Sequence, residues 1–143
     1  PTTENYTLSL HDALPIWKFP NVELKQAPGD SIPLPDSSLD GVFANMYLHH
    51  APDPLAAIRE MTRLLKPGGV LCITDLDAHD HEWQRAEMAD LWLGFARDDI
   101  RRWFGEAGLS DIDVDCAEGT CDACGPDGEV KPLSIFVALG RKA

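Results

Sequence analysis

Apolar positions along this chain follow two rhythms, one of strands and one of helices. Val42, Phe43 and Ala44 form a short run without polar alternation, the pattern of a strand covered on both faces, and Asn45 ends it. Leu55, Ile58, Met61 and Leu65 then recur at helical spacing, which puts Arg59, Glu60 and Arg63 on the side that faces water. Asp53 caps this predicted helix and Pro54 suits its first position, where a missing N–H costs nothing. Lys66, Pro67, Gly68 and Gly69 stop it, because the cation favours the negative helix pole and the glycines permit positive φ. Val70 to Thr74 is a second buried strand that delivers Asp75 and Asp77 to its carboxyl end. Strand, helix and strand in this order build a parallel sheet, and in open α/β sheets ligands bind at that carboxyl edge. The loop from Asn45 to Asp53 leaves the same edge, so both face one crevice.

The flanking pattern extends the α/β reading. Asn21 to Gln26 predicts a strand with Val22 and Leu24 on one face, and the segment after it is broken by Pro28, Pro33 and Pro35. Behind His79, Asp80 and His81, a helix carries Trp83, Met88, Leu91 and Trp92 as an uneven apolar stripe. Asp98 to Ala107 is a helix with Ile100, Trp103, Phe104 and Ala107 on one face, and Gly108 lies past its end. Ile112 and Val114 begin a strand, and Leu133 to Leu139 is a final buried one.

Composition narrows the function classes. A net charge of -12 argues against a nucleic-acid partner, since phosphate binding needs a basic surface. No apolar run approaches the ~20 residues that span a membrane. An acidic chain with no secretory signal in view suggests a reducing, cytoplasmic compartment. Residues 1–16 are set apart. Thr7 to Ile16, TLSLHDALPI, is the translation of ACT CTT TCC CTA CAC GAC GCT CTT CCG ATC, a common sequencing-adapter oligonucleotide. We expect residues 1–16 to be adapter-derived rather than an ordinary amphipathic leader, and residues 17–143 to hold one domain.

PDSSLDGVFANMYLHHAPDP, followed by a helix and LKPGG, resembles the middle of a class I S-adenosylmethionine-dependent methyltransferase of the type 11, ubiquinone/menaquinone-biosynthesis-like group. The resemblance runs from about Lys18 to Ala143 and implies a Rossmann-like sheet, mostly parallel with its last strand antiparallel. The glycine-rich turn and acidic residue of that fold's first two strands are not found, so the expectation is a C-terminal portion that lacks those strands. The resemblance implies S-adenosylmethionine as cofactor and methyl transfer to a small-molecule acceptor in the intact parent, with the fragment itself inactive.

The resemblance also suggests where the chemistry sits. The segment holding Gly29 and Asp30 lies against the adenine; the family's carboxylate position falls on Pro28, so Asp30 substitutes for it or is a solvated turn residue. Asn45 and Met46, at the end of the central strand, are implied contacts of the methionine portion and sulfonium, with Met46 as a core residue the alternative. His49 and His50 follow; one faces the crevice as base or orienting donor and the other packs, and we favour His50 in the crevice. His79 and Trp83 are implied neighbours of the acceptor, whereas a metal at His79 and His81 lacks a second ligand pair nearby. Cys116, Cys121 and Cys124, read as a loop, are incidental thiols, a soft-metal or metalloid site, or redox groups. Two further functions stay open: methylation of a metalloid or thiol through those cysteines, and a non-catalytic module fused to a regulator.

Overall fold

The computed structural model describes residues 20–23, 25–124, 128 and 130–143, without the side chains of 118–124. Its strands are β1 (Leu39–Asn45), β2 (Leu65–Leu76), β3 (Leu109–Cys124) and β4 (Val130–Lys142), and its α-helices are α1 (Pro54–Leu64), α2 (Trp83–Glu87) and α3 (Arg97–Glu106). A short 3-10 turn, Leu48–His50, follows β1. The described strands form one sheet in the order β1-β2-β4-β3. β1 and β2 are parallel, and β4 runs antiparallel to both β2 and β3. The antiparallel last strand is present as expected, whereas among the described strands only the β1–β2 pair is parallel, so the sheet is mixed rather than mostly parallel.

The central unit forms for the reasons its sequence suggests. Asp53 accepts a hydrogen bond from the Ala56 N–H at 3.0 Å, and Pro54 opens α1. Ala57, Ile58, Met61 and Leu64 are buried on its inner face, and Gly68 takes φ 80° near the start of β2, where the register with β1 shifts between Leu65 and Val70. Ile58 and Met61 from α1 meet Ile100 and Phe104 from α3 over Leu71, Ile73, Val114, Phe136 and Ala138 of the sheet, which makes one contiguous core.

Four expectations need correction. Strand β1 is covered on one face only among the described residues: Phe43 is 66% exposed and pairs in register with Cys72, which pairs with Leu139, itself 39% exposed. Asn21 to Gln26 is not a strand; no described strand pairs with it, its described residues are exposed, and Leu24 lies outside the description. The helix at Trp83 ends at Glu87, and Met88, Leu91 and Trp92 are exposed rather than core. Cys116, Cys121 and Cys124 lie on β3 rather than in a loop, because Thr120 to Cys124 pairs with Ser134 to Val130 of β4.

Among the described residues no helix is long and apolar enough to cross a membrane.

Candidate functional site

The crevice at the carboxyl ends of β1 and β2 has two walls. On one side Pro28, Gly29 and Asp30 cross in front of Tyr47, Ala51, Pro52, Asp53 and Ala57, enclosing a cavity of about 220 Å³. A Cβ at Gly29 would come within 1.7 Å of the Tyr47 hydroxyl oxygen, so a side chain there would displace the Tyr47 ring from its present position. Burial and then the nearby Asp30 charge push the Tyr47 hydroxyl above its ordinary pKa, so it stays protonated as a donor.

A clamp on α1 anchors the segment that follows this wall. Arg63 donates to the carbonyls of Ile32 and Leu34 at 3.1 and 3.0 Å, to both Glu60 carboxylate oxygens at 2.7 Å, and to Asp36. Glu60 also accepts the Ile32 N–H at 2.7 Å. Hydrogen bonds from Arg63 hold the Glu60 carboxyl below its usual range despite burial. Glu60 and Arg63, expected to face water, thus grip the proline-rich segment instead.

The second wall is a histidine and carboxylate network. Asp75, fully buried at the end of β2, accepts the N–H groups of Leu48, His49 and Leu76 at 2.7, 3.3 and 2.7 Å. Its Oδ1 lies 2.6 Å from His49 Nδ1, and because Asp75 accepts there, Nδ1 is the ring nitrogen that carries the proton. The other His49 nitrogen, Nε2, lies 3.7 Å from Asp90 Oδ1, and His50 Nδ1 lies 3.7 Å from the same oxygen. Burial opposes protonation of His49, but the hydrogen bond to Asp75 and the charges of Asp75 and Asp90 outweigh it and raise its pKa. Asp90 arrives from the segment after α2, turned inward by Ala89 at φ 59°. Leu91 and Trp92 donate their N–H groups to the His49 carbonyl at 3.1 Å each, and Trp92 Nε1 donates to Ala51 at 2.9 Å.

Of the residues singled out from the sequence, Gly29 and Asp30 share the first wall. Asn45 is exposed, its Oδ1 accepting from the Thr74 hydroxyl at 2.5 Å. Met46, at φ 51°, packs with Trp83 and Ile135 against buried Leu76 and Leu133. His50 is exposed at the second wall, with its ring 4.0 Å from that of His49. His79 accepts the His81 N–H on Nδ1 at 3.3 Å, and burial lowers its pKa. Its Nε2 and the Trp83 Nε1 are buried with no hydrogen-bond partner, as is Gln84 Oε1. Cys116 is an exposed free thiol, while the side chains of Cys121 and Cys124 lie outside the description. Sequence reasoning missed Asp90 altogether, and no local pattern marks it. The His49 and Asp75 pairing had one signal, an acidic residue directly after an apolar strand run.

The cavity bears on the implied cofactor. A mostly apolar cavity lined also by the Asp30 and Asp53 carboxylates and the Tyr47 ring fits a heteroaromatic base that carries an amino group. Its volume is below the ~300–1,000 Å³ of complete ligand pockets, so these residues fit one end of S-adenosylmethionine.

Known proteins agree with this geometry. Residues 8–73 match the family described as a methyltransferase domain; that span begins inside the segment read above as adapter. The chain is similar to 2-methyl-6-phytyl-1,4-hydroquinone methyltransferase 1, chloroplastic, of Oryza sativa subsp. japonica, with 30% identity over 65% of this chain and 28% of that protein. It is similar to the ubiquinone/menaquinone biosynthesis C-methyltransferase UbiE of Shewanella sp. (strain ANA-3), with 37% identity over 50% of this chain and 28% of that protein. The chain spans less than half the length of these relatives. In fold it is similar to the YcgJ protein of Bacillus subtilis, with a TM-score of 0.65, 17% identity, and 82% of this chain and 70% of that one covered. A SAM-dependent methyltransferase from Aquifex aeolicus superposes with a TM-score of 0.59, 19% identity, and 89% and 58% covered. Family match, relatives and fold point the same way: this chain is similar to methyltransferases of the class I S-adenosylmethionine-dependent, type 11 kind.

Proposed function

We propose that residues 17–143 are the C-terminal portion of one methyltransferase domain, whose intact parent transfers a methyl group from S-adenosylmethionine to a small organic acceptor in the cytoplasm. The observation that carries this reading is the slot where Gly29 meets Tyr47 at the carboxyl end of β1. There Asp30 and Tyr47 offer an acceptor and a donor to the cofactor's base, and the clamp of Arg63 and Glu60 anchors the segment bearing Asp30. Asn45 and Met46 sit at the strand end, where the sulfonium would meet carbonyl oxygen and thioether sulfur that cannot profitably be alkylated. The bound cofactor supplies an electrophilic methyl group.

The protein's share is positioning and exclusion of water, which in well-oriented reactions supplies much of the rate. His50, exposed beside the crevice, is placed to orient the acceptor or take its proton. The unpartnered donors of His79 and Trp83 are buried, and would meet a polar group of the acceptor only on movement of the segment that holds them. An acceptor of quinol type suits this set; one relative is named as a hydroquinone methyltransferase and another as a ubiquinone/menaquinone biosynthesis C-methyltransferase.

The test is to resequence across the Trp17 junction, complete the protein, and titrate it with S-adenosylmethionine by calorimetry. Binding that Gly29→Val abolishes by filling the slot is the expected result. A completed, folded protein that takes up no cofactor overturns the reading.

A further inference from the structure

The buried partners of His49 point to an ion that the methyl-transfer reading does not use. Because Nδ1–H is given to Asp75 at 2.6 Å, the His49 Nε2 lone pair faces the Asp90 carboxylate 3.7 Å away. Both side chains are nearly inaccessible, at 5% and 3% exposure. With His49 neutral, two acceptors face each other in a buried site, an arrangement relieved by a proton on Nε2 or by a cation between them.

We propose that His49 Nε2, His50 Nδ1 and an Asp90 carboxylate oxygen form a binding site for a divalent transition-metal ion of the zinc type. These donor atoms all lie within 4.8 Å of one another. Around a tetrahedral zinc ion the donors sit about 3.3 Å apart, so the 3.7 Å separations close with small side-chain adjustments. Asp75 is the outer carboxylate that metal-bound histidines characteristically use to fix their tautomer. The contact of His50 Nδ1 with the Ala89 carbonyl is long, at 3.4 Å, and gives way readily to a metal bond.

Imidazole and carboxylate donors suit zinc, cobalt or nickel. Three protein ligands leave a position for water or an anionic oxygen on the exposed His50 side. The ion would join three separate elements, namely the turn after β1, the end of β2 through Asp75, and the segment after α2. The site needs no bound cofactor, but it commits His50 Nδ1 to the metal, so in the methyl-transfer reading a metal-bound His50 could only donate from Nε2 to orient the acceptor.

The experiment is cobalt(II) titration of the untagged, metal-stripped chain, followed by visible spectroscopy and zinc competition. One equivalent of cobalt should bind with d–d bands and no sulfur-to-metal charge transfer, and zinc should displace it. The same uptake should persist when Cys116, Cys121 and Cys124 are changed to Ser. It should weaken at least tenfold in His50→Ala, a change at an exposed side chain whose fold is checked by circular dichroism, and in Asp90→Asn. No uptake, uptake unaltered by His50→Ala, or uptake lost with the cysteines would each overturn the site. Failure of cofactor binding in the separate calorimetric test leaves this result unaffected.

Discussion

The β1-α1-β2 unit and the segment from Ala78 to Gly94 are held in opposite ways. The first buries an apolar helix face against a sheet and closes its ends with local caps. The second exposes Met88, Leu91 and Trp92, holds a five-residue helix, and leaves three buried polar atoms without partners. Apart from Trp83, which packs beside Met46 and Ile135 against Leu76 and Leu133, its attachments are mainly polar: hydrogen bonds to the His49 and Ala51 carbonyls and the Asp90 carboxylate beside two histidines. Burial of apolar area is non-directional and cooperative, whereas a few polar attachments can be released one at a time. The contrast marks the first unit as scaffold and the second as the part able to open over the crevice.

The largest effects should come from breaking the scaffold where it meets the site. Asp75→Ala removes the acceptor of three backbone N–H groups and the His49 ring, and is expected to cost about 3–5 kcal/mol, as when one partner of a buried pair is removed. Ile58→Ala, in the fully buried face of α1, should cost about 2–5 kcal/mol through lost burial and the cavity left behind. Urea denaturation of both variants checks this. A loss below about 1 kcal/mol in either would mean that the unit is not the scaffold.

The scaffold was also the part most legible in the sequence, for the same physical reason. Periodicity at Leu55, Ile58 and Met61, the Asp53 cap and Gly68 are local signals. Strands need partners that sequence does not name. Asn21 to Gln26 has strand composition and no described neighbour, while the polar stretch Thr120 to Cys124 is extended because Val130 to Ser134 lies alongside. Phe43 reads as buried by composition, yet nothing among the described residues covers its face. At the site, His49 and His50 were visible as a pair, but which one meets Asp75 depends on a 3-10 turn that the sequence does not announce. Asp90 became a partner only through the path of the chain after α2.

A middle-sized effect separates two histidines by pH, measured with chelator present to remove metal. The folded pKa of His49 is raised, so its pairing with Asp75 and Asp90 contributes fully below the unfolded value of about 6.5 and is lost as pH rises through the folded value. The folded pKa of His79 is lowered by burial, so between that value and about 6.5 the unfolded state binds more protons and stability rises with pH. The two therefore act in adjoining windows with opposite slopes. Wild-type urea midpoints should rise toward about pH 6.5 and fall above it. His79→Gln should flatten the acidic limb and His49→Gln the alkaline one. If either substitution altered the opposite limb, the assignment would be wrong.

The smallest effect sharpens the comparison most. Trp92→Phe keeps an aromatic ring beside Phe95 and removes the Nε1 hydrogen bond to the Ala51 carbonyl. A single such bond contributes about 0.5–1.5 kcal/mol. If the segment opens by itself, this loss appears in local opening rather than in global unfolding. The urea midpoint should then move by no more than about 0.5 kcal/mol, the range of an ordinary surface substitution. Meanwhile amide exchange within residues 78–94 should accelerate, by up to about tenfold for a loss near 1.4 kcal/mol. Exchange that speeds up equally in β2 would show that the segment unfolds only with the sheet, and would remove the distinction between scaffold and opening part.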